Sequence, residues 1–264
     1  MRTSDWMRLA RRLAAPAIIL VLWQVLAGAF GWGGGFVPTP IAVVETAGVW
    51  IFGFGSSDRY AGTWLNAVIA SSLRVFGGFL VASAVGIVLG MMVGRSKIVA
   101  DYLDPIIQLL RPVPVSAWVP FSLVFFGIGP ASAVFLVALG AFFPVAMNTI
   151  SGARHVSELH LRSARMLGAQ PWFAAMRVVL PSSLPSILVG LRLALGLSWV
   201  LLIVAEMVAV KSGLGYELWN AYYYSRMDVI VAAMVTIGLL GFLSDAALIA
   251  LSSRLLVWHE ATDQ

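Results

Sequence analysis

Long apolar stretches separated by short polar segments dominate the pattern of this chain of 264 residues. Several of them reach the roughly 20 apolar residues that a helix needs to cross a bilayer. We therefore predict an all-α membrane protein with about six transmembrane helices, at approximately Ala15–Trp32, Val75–Gly94, Val113–Ile128, Ala131–Ile150, Leu188–Val210 and Val229–Leu251.

Composition agrees with this pattern, because 60% of the residues are hydrophobic and only 11% are charged. Soluble domains carry roughly 25% charged residues. The chain contains no cysteine, which excludes disulfides and thiolate-bound metals. The first apolar run follows several arginines, as a signal peptide would, but no small-residue cleavage site clearly follows it. We interpret it as a retained helix.

The third predicted span is the least regular, because Pro112, Pro114 and Pro120 interrupt it. A broken helix at membrane depth is tolerated where its backbone is buried in protein or lines a wet cavity. A simple kink without contact to any solute is the other interpretation. The sequence leaves both open.

Positive charges indicate the orientation. With six spans, most arginines fall on the side that holds both termini, which the positive-inside rule assigns to the cytoplasm. Without the third span, the basic cluster from Arg154 to Arg177 would lie outside. The net charge of +5 is thus an orientation signal in a bilayer, and we predict no nucleic-acid partner.

A polar, basic insert, residues 158–181, separates the fourth and fifth spans. Ser157 is suited to cap a short helix over 158–167, and Gly168 to the left-handed position after it. Pro171 favours the start of a second helix, which Pro181 is expected to end. The first helix suits either a groove on a partner protein or the surface of anionic lipid.

The insert resembles the EAA loop of binding-protein-dependent ABC transporter permeases, written E-A-A-x3-G-x9-I-x-L-P. Arg162, Ser163 and Ala164 occupy the E-A-A positions, although Arg and Ser depart from the pattern. Gly168 matches the glycine, Val178 stands at the isoleucine, and the pair Leu180-Pro181 closes the motif. The resemblance implies that the insert couples to an ATPase, with the coupling residues Arg162, Ser163, Ala164, Leu167, Gly168, Leu180 and Pro181.

Further stretches resemble the permeases for taurine, aliphatic sulfonates and nitrate. They are LDPIIQLLRPVPVSAWVPFSLVFFGIG at 103–129, LGLSWVLLIVAEMVA at 195–209, GLG at 213–215 and LLVWH at 255–259. The implied architecture is the type I ABC importer permease fold with a cytoplasmic coupling helix. Residues 1–64 would form an N-terminal tail, the first span and an extracytoplasmic loop, with a helix near 40–52, and residues 65–264 the core permease domain.

The same resemblance implies a homodimeric permease in the bacterial inner membrane. Two cytoplasmic ATPase subunits would bind ATP and Mg, and a periplasmic substrate-binding protein would deliver a small anion. This chain itself would hold no cofactor. A stand-alone secondary transporter or channel is the alternative, although no internal repeat of the kind common in such transporters is visible.

Three charged residues, Arg192, Glu206 and Asp245, lie inside predicted spans. Each costs about 2.5–3.5 kcal/mol at the bilayer centre, so each should face protein or water. Arg192 and Asp245 have similar depths, and we predict that they pair. Glu206 lies nearer the outer face, where gating, binding of the GLG backbone and a structural bond to a neighbouring helix are all open.

An anion path needs hydrogen-bond donors, which Trp and Ser side chains supply without a standing charge. Helix packing and interface anchoring are the competing roles of such residues. Arg74 is expected at the outer mouth, either attracting anions or extending to the interface. The candidate lining residues are Ser116, Trp118, Ser122, Asn148, Ser198 and Trp199.

Catalytic signatures are missing from the sequence. Neither Lys97 nor Lys211 ends a phosphate-binding loop, so ATP hydrolysis is expected on another chain. His155 and His160 do not have the spacing of a zinc motif, and we predict no metal site. No G-x-S-x-G elbow occurs. The chain is therefore not expected to be an enzyme.

Overall fold

The structure is a computed structural model that describes residues 3–29, 37–53 and 56–255, with side chains from residue 14 to residue 254. The LLVWH sequence at 255–259 lies outside this range except for the backbone of its first residue. The side chains of the N-terminal arginines, which contribute to the predicted orientation, also lie outside the described part.

All regular structure in the described residues is helical. A 3-10 turn at Val115–Trp118 precedes α5, and a π-helical segment at Ala175–Val179 joins α8 to α9. The helices are α1 (Thr3–Ala29), α2 (Pro40–Phe52), α3 (Trp64–Arg95), α4 (Lys97–Leu110), α5 (Val119–Phe126), α6 (Pro130–Arg154), α7 (Glu158–Met166), α8 (Pro171–Ala174), α9 (Leu180–Ala209), α10 (Leu214–Tyr223) and α11 (Met227–Leu255).

Four helical stretches of the described chain are long and apolar enough to cross a membrane: Trp64–Arg95, Pro130–Arg154, Pro171–Ala209 and Met227–Arg254. The pair α4 and α5 makes a fifth candidate if it is counted as one span. The apolar part of α1, Ala14–Ala29, is shorter. The all-helical multi-pass architecture is confirmed, and the count of six spans stays a prediction.

The third predicted span is a broken element. The axes of α4 and α5 differ by 93° across the break, which carries Pro112 and Pro114. Proline lacks a backbone N–H and disfavours helical geometry in the residue before it. Two such residues in a tripeptide account for the end of α4 at Leu110 and the short 3-10 turn that follows.

The described chain forms two compact units, the smaller comprising residues 1–68 and 217–236. In it, the predicted helix near residues 40–52 is confirmed as α2, which Thr39 caps by accepting a hydrogen bond from the N–H of Ala42. Trp50 is fully buried and donates to Thr63 Oγ1 at 3.1 Å.

An ion-pair network joins the ends of two segments of this smaller unit. The Arg226 guanidinium donates to Asp58 at 3.1 Å and to Asp228 at 2.8 Å. The N–H of Tyr60 and the guanidinium of Arg226 lower the pKa of Asp58. The network thereby fixes the loop after α2 to the start of α11.

The larger unit, residues 69–216 and 237–264, is built on tightly packed helices. Glycines of α3 face α6: a Cβ on Gly86 would lie 2.9 Å from Val145 Cγ1, and one on Gly90 would lie 2.6 Å from Thr149 Cβ. Small residues permit such backbone approach between membrane helices. On its other side, α6 packs along α9, around a core that includes Val137 and Leu202.

Candidate functional site

The first helix of the insert, α7, has the predicted termini. Ser157 Oγ accepts a hydrogen bond from the N–H of Leu159 at 3.3 Å. Gly168 adopts a φ of +79°, the left-handed conformation that a residue with a Cβ rarely takes. Leu161 is buried and holds the helix against Val179 in a small apolar cluster. The insert is thus anchored on one face only.

The tip of the insert carries exposed apolar residues. Met166 and Leu167 at this tip are 87% and 88% exposed, whereas Leu159, which is 69% exposed, lies in the first turn of α7, away from the tip. These residues come after Arg154, the last residue of α6. They therefore lie outside the long apolar helices that can cross a membrane. A large exposed apolar surface on a short, otherwise polar helix marks an interaction site.

The predicted coupling residues are brought together only in part. Ala164, Leu167 and Gly168 line a concavity of about 510 Å³, together with Gln170 and Phe173 of the turn and second helix. Arg162 and Ser163 are exposed beside it. Leu180 and Pro181 are half-buried and lie away from this concavity.

The second helix of the insert does not end at Pro181, so that prediction was wrong. The helical path runs from Pro171 through the π-helical segment into α9 and continues to Ala209. Pro181 lies two residues after the π-helical segment, at the second position of α9. The π turn changes the hydrogen-bond register just before the proline, which lets one continuous element connect the insert to a span.

A cavity of about 480 Å³ lies where the α4–α5 element is broken. Arg111 and Val113 from the break contribute to its wall, Asn148 comes from α6, and Leu193 and Leu197 come from α9. The lining is apolar apart from one guanidinium and one amide, a combination typical of small-molecule sites. Of the two interpretations of the prolines, the structure favours a break that lines a cavity.

The six predicted path residues do not form one lining, because only Asn148 borders this cavity. Its amide donates to the carbonyl of Pro144 at 2.8 Å and retains a second N–H. Ser198 and Ser122 are buried and donate to carbonyls of their own helices. Trp199 is also buried.

Trp199 Nε1 donates to Ser244 Oγ at 3.0 Å, so its donor serves helix packing. Trp118 packs edge-to-face on Phe121, with ring centroids 5.5 Å apart. Ser116 is exposed on the 3-10 turn. Sequence reasoning missed Arg111 as a lining residue, although an arginine directly before two prolines at the edge of an apolar span was a visible signal.

The predicted pair between Arg192 and Asp245 is confirmed as a contact. Arg192 Nε and Nη2 donate to the two carboxylate oxygens of Asp245 at 2.7 and 2.9 Å. This two-pronged geometry is the strongest form of an arginine–carboxylate bond. It connects α9 to α11.

Glu206 lies at the centre of a buried network at the opposite end of α9. Its side chain is fully buried and accepts from Ser71 Oγ at 2.9 Å, from Arg74 Nη1 at 2.5 Å and from the N–H of Gly215 at 2.9 Å. Ser71 Oγ in turn accepts from the N–H of Leu214 at 2.8 Å. Both the bond to the GLG backbone and the bond to a neighbouring helix therefore form.

The expectation for Arg74 was wrong. It is only 6% exposed, and neither attracts anions at a mouth nor extends to an interface. Besides Glu206, it donates to the carbonyl of Ser212 at 2.8 Å and to Ser212 Oγ at 2.6 Å. Burial of its positive charge is compensated by the carboxylate and these oxygens.

The chain is similar over most of its length to permeases with known names. It is 35% identical to the putative aliphatic sulfonates transport permease protein SsuC of Bacillus subtilis, over 97% of this chain and 89% of the relative. Identity is 36% to the taurine transport system permease protein TauC of Escherichia coli (92% and 87% covered). It is 34% to the nitrate import permease protein NrtB of Synechocystis (93% and 89% covered).

The fold is similar to that of a chain solved in inward-facing conformations of the MetNI methionine ABC transporter. The TM-score is 0.60 at 20% sequence identity, and the match covers 74% of this chain and 99% of the other. The model of the family "Binding-protein-dependent transport system inner membrane component" matches residues 82–257. The chain therefore belongs to the binding-protein-dependent ABC transporter permeases, in the group that includes the aliphatic sulfonate, taurine and nitrate permeases.

Proposed function

We propose that this chain is the membrane subunit of an ATP-driven importer for a small anion of the sulfonate, taurine or nitrate type. Two copies enclose one translocation path in the inner membrane of a bacterium, with both termini in the cytoplasm. Two ATPase subunits, which hold the ATP and Mg, bind the inserts from the cytoplasm, and a periplasmic binding protein delivers the anion.

The geometry of the insert carries this proposal. Its tip exposes Met166 and Leu167 beside the concavity that Phe173 helps to line. Behind the tip, α7 packs on Val179, and the helix continues without interruption into α9. A push on the insert is therefore transmitted to a membrane-spanning helix, as rigid-body alternation requires.

The cavity at the broken helix supports an anion as the cargo. Arg111 is the one charged residue in its lining among the described residues, and Asn148 adds an amide. A guanidinium with an amide in an otherwise apolar cavity attracts a sulfonate or nitrate group and disfavours a cation. Its α9 wall continues into the exposed apolar residues Val189 and Val200, which supports closure of the cavity by a second copy.

Reconstitution tests the proposal directly. We expect proteoliposomes that contain the permease, its ATPase and its binding protein to accumulate the anion only when ATP is supplied. The binding protein with bound anion should stimulate ATP hydrolysis. Uptake by the permease alone down an ion gradient would instead indicate a stand-alone transporter and overturn the proposal.

A further inference from the structure

Two cavities of different chemistry adjoin each other where α3 ends beside the insert. The first, of about 410 Å³, has Arg95 and Arg165 in its lining. The second, of about 440 Å³, is apolar on both walls. Arg95 and Ala175 border both cavities, so the two volumes are neighbours that share part of their walls.

The apolar cavity lies at the level where two membrane-spanning stretches end. One wall consists of the last turns of α3, which ends at Arg95, and the other belongs to the stretch that begins at Pro171. The basic cavity is lined by Arg95 at the end of α3 and otherwise by residues of the insert between Leu161 and Val179. Along α3 the lining is therefore apolar within the span and basic at its end, which matches the profile of a lipid from chain to headgroup. The apolar walls include Ile87, Met91, Met92, Trp172, Met176 and Leu180.

Charge in the basic cavity is not neutralised by its own lining. No carboxylate borders either cavity within the described residues. The ion pair of Arg165 with Glu158 is a long contact of 3.7 Å in which both side chains are 65% exposed, and such surface pairs contribute little. Two guanidiniums can bind a phosphodiester through several charge-assisted hydrogen bonds.

We infer that the two cavities form one binding site for an anionic phospholipid, with its phosphate between Arg95 and Arg165 and an acyl chain between α3 and the second helix of the insert. An inorganic phosphate or a nucleotide would leave the apolar cavity unused. A neutral lipid would leave the two guanidiniums without an anion. Basic pockets beside membrane-spanning helices are a known form of headgroup recognition.

The site involves the segment that connects the insert to α9. Ala175 borders both cavities, and Met176 borders the apolar one; both belong to the π-helical segment. Bound lipid would therefore contact α3 on one side and this segment on the other. π turns often mark functional sites, so the lipid is placed to stabilise one arrangement of the insert relative to α3.

Native mass spectrometry of the full chain, purified in detergent, tests the inference. We expect a specific adduct with palmitoyl-oleoyl phosphatidylglycerol and none with phosphatidylcholine of the same acyl chains. The double variant Arg95→Gln, Arg165→Gln should weaken phosphatidylglycerol binding by at least about tenfold, since one charge-assisted hydrogen bond accounts for a loss of that size. Arg177→Gln removes a charge from the same segment without altering either cavity lining and should bind as the wild type does.

A second variant tests the acyl-chain part independently of the arginines. Met176→Trp is expected to fill the apolar cavity and weaken binding of phosphatidylglycerol while leaving the headgroup site intact. Thermal unfolding of each variant in the same detergent verifies that it is folded. Equal phosphatidylglycerol binding by the double variant and Arg177→Gln would overturn the inference. The inference would also be overturned if phosphatidylcholine bound equally well or if inorganic phosphate alone competed with the lipid. A protein side chain that fills the apolar cavity in the assembled transporter would overturn it as well.

Discussion

Arg74 and Glu206 form an ion pair of 2.5 Å that is almost completely removed from solvent, with side-chain exposures of 7% and 0%. The pair joins α3 to α9, and its hydrogen-bond partners Ser212 and Gly215 fix the loop between α9 and α10. The ion pair therefore connects α3, α9 and the start of α10 at a single point. All residues of this network belong to the larger compact unit.

We expect Glu206→Gln to destabilise the protein strongly. The variant leaves the Arg74 guanidinium buried without a counter-charge, and breaking a buried pair in this way costs about 3–5 kcal/mol. The free energy of unfolding in detergent micelles measures the effect. Replacing both partners, Arg74→Met with Glu206→Leu, should cost less than the sum of the single changes, because no uncompensated charge remains.

Arg154 offers a matched comparison, since it also lies 2.5 Å from a carboxylate, that of Asp104, but with side-chain exposures of 45% and 25%. Arg154→Gln should cost no more than about 1 kcal/mol, because exposed ion pairs contribute little. Similar losses in the free energy of unfolding for Arg154→Gln and Glu206→Gln would show that burial does not determine how much the Arg74–Glu206 pair contributes to stability.

Gly213 provides a second test of the same network. It adopts a φ of +107°, and a Cβ there would collide with the carboxylate of Glu206. Gly127 has a φ of +72° but open space around its Cβ position. Both Gly→Ala variants carry the strain of a positive φ, and only Gly213→Ala should add displacement of the carboxylate. We expect clearly greater destabilisation for Gly213→Ala in thermal unfolding; equal midpoints would contradict the close approach.

Local features were predictable from the sequence because short-range chemistry determines them. Ser157 caps α7 and Gly168 ends it, since capping and left-handed backbone depend on the nearest residues. The pair Arg192–Asp245 was predictable from depth alone, because two charges of opposite sign at one level of neighbouring spans are expected to pair.

Features that depend on helix rotation and long-range packing were not predictable. Arg74 was assigned to the outer mouth because its partner, Glu206, is 132 residues away in the chain. Pro181 was expected to end a helix, but the π turn before it restores continuity. The orientation of Ser198 and Trp199 toward the protein core follows from how α9 packs, which no local pattern reveals.

Arg111 is the residue whose replacement should affect transport most selectively. Without its guanidinium the cavity keeps its shape but loses its one charge among the described lining residues. We expect Arg111→Gln to lower ATP-dependent uptake of the anion by about tenfold or more, the loss of a charge-assisted hydrogen bond. Arg111→Lys should retain part of the ATP-dependent uptake. Initial uptake rates in proteoliposomes measure both effects.

Lys97→Gln is the matched control for this prediction, since it removes one positive charge from the exposed start of the same helix, α4. Its uptake rate should equal that of the wild type. The account of the cavity is wrong if Arg111→Gln transports normally, or if Lys97→Gln loses as much activity as Arg111→Gln, because net charge alone would then explain the result.

The central claim is that the tip of the insert holds an ATPase subunit, and the amount of ATPase that copurifies with the permease measures this most directly. Leu167→Asp changes a residue of the concavity, whereas Leu159→Asp makes the same change at the other end of α7. We predict that Leu167→Asp inserts normally but loses the ATPase and ATP-dependent uptake, while Leu159→Asp retains both. Full retention of the ATPase by Leu167→Asp would contradict the account.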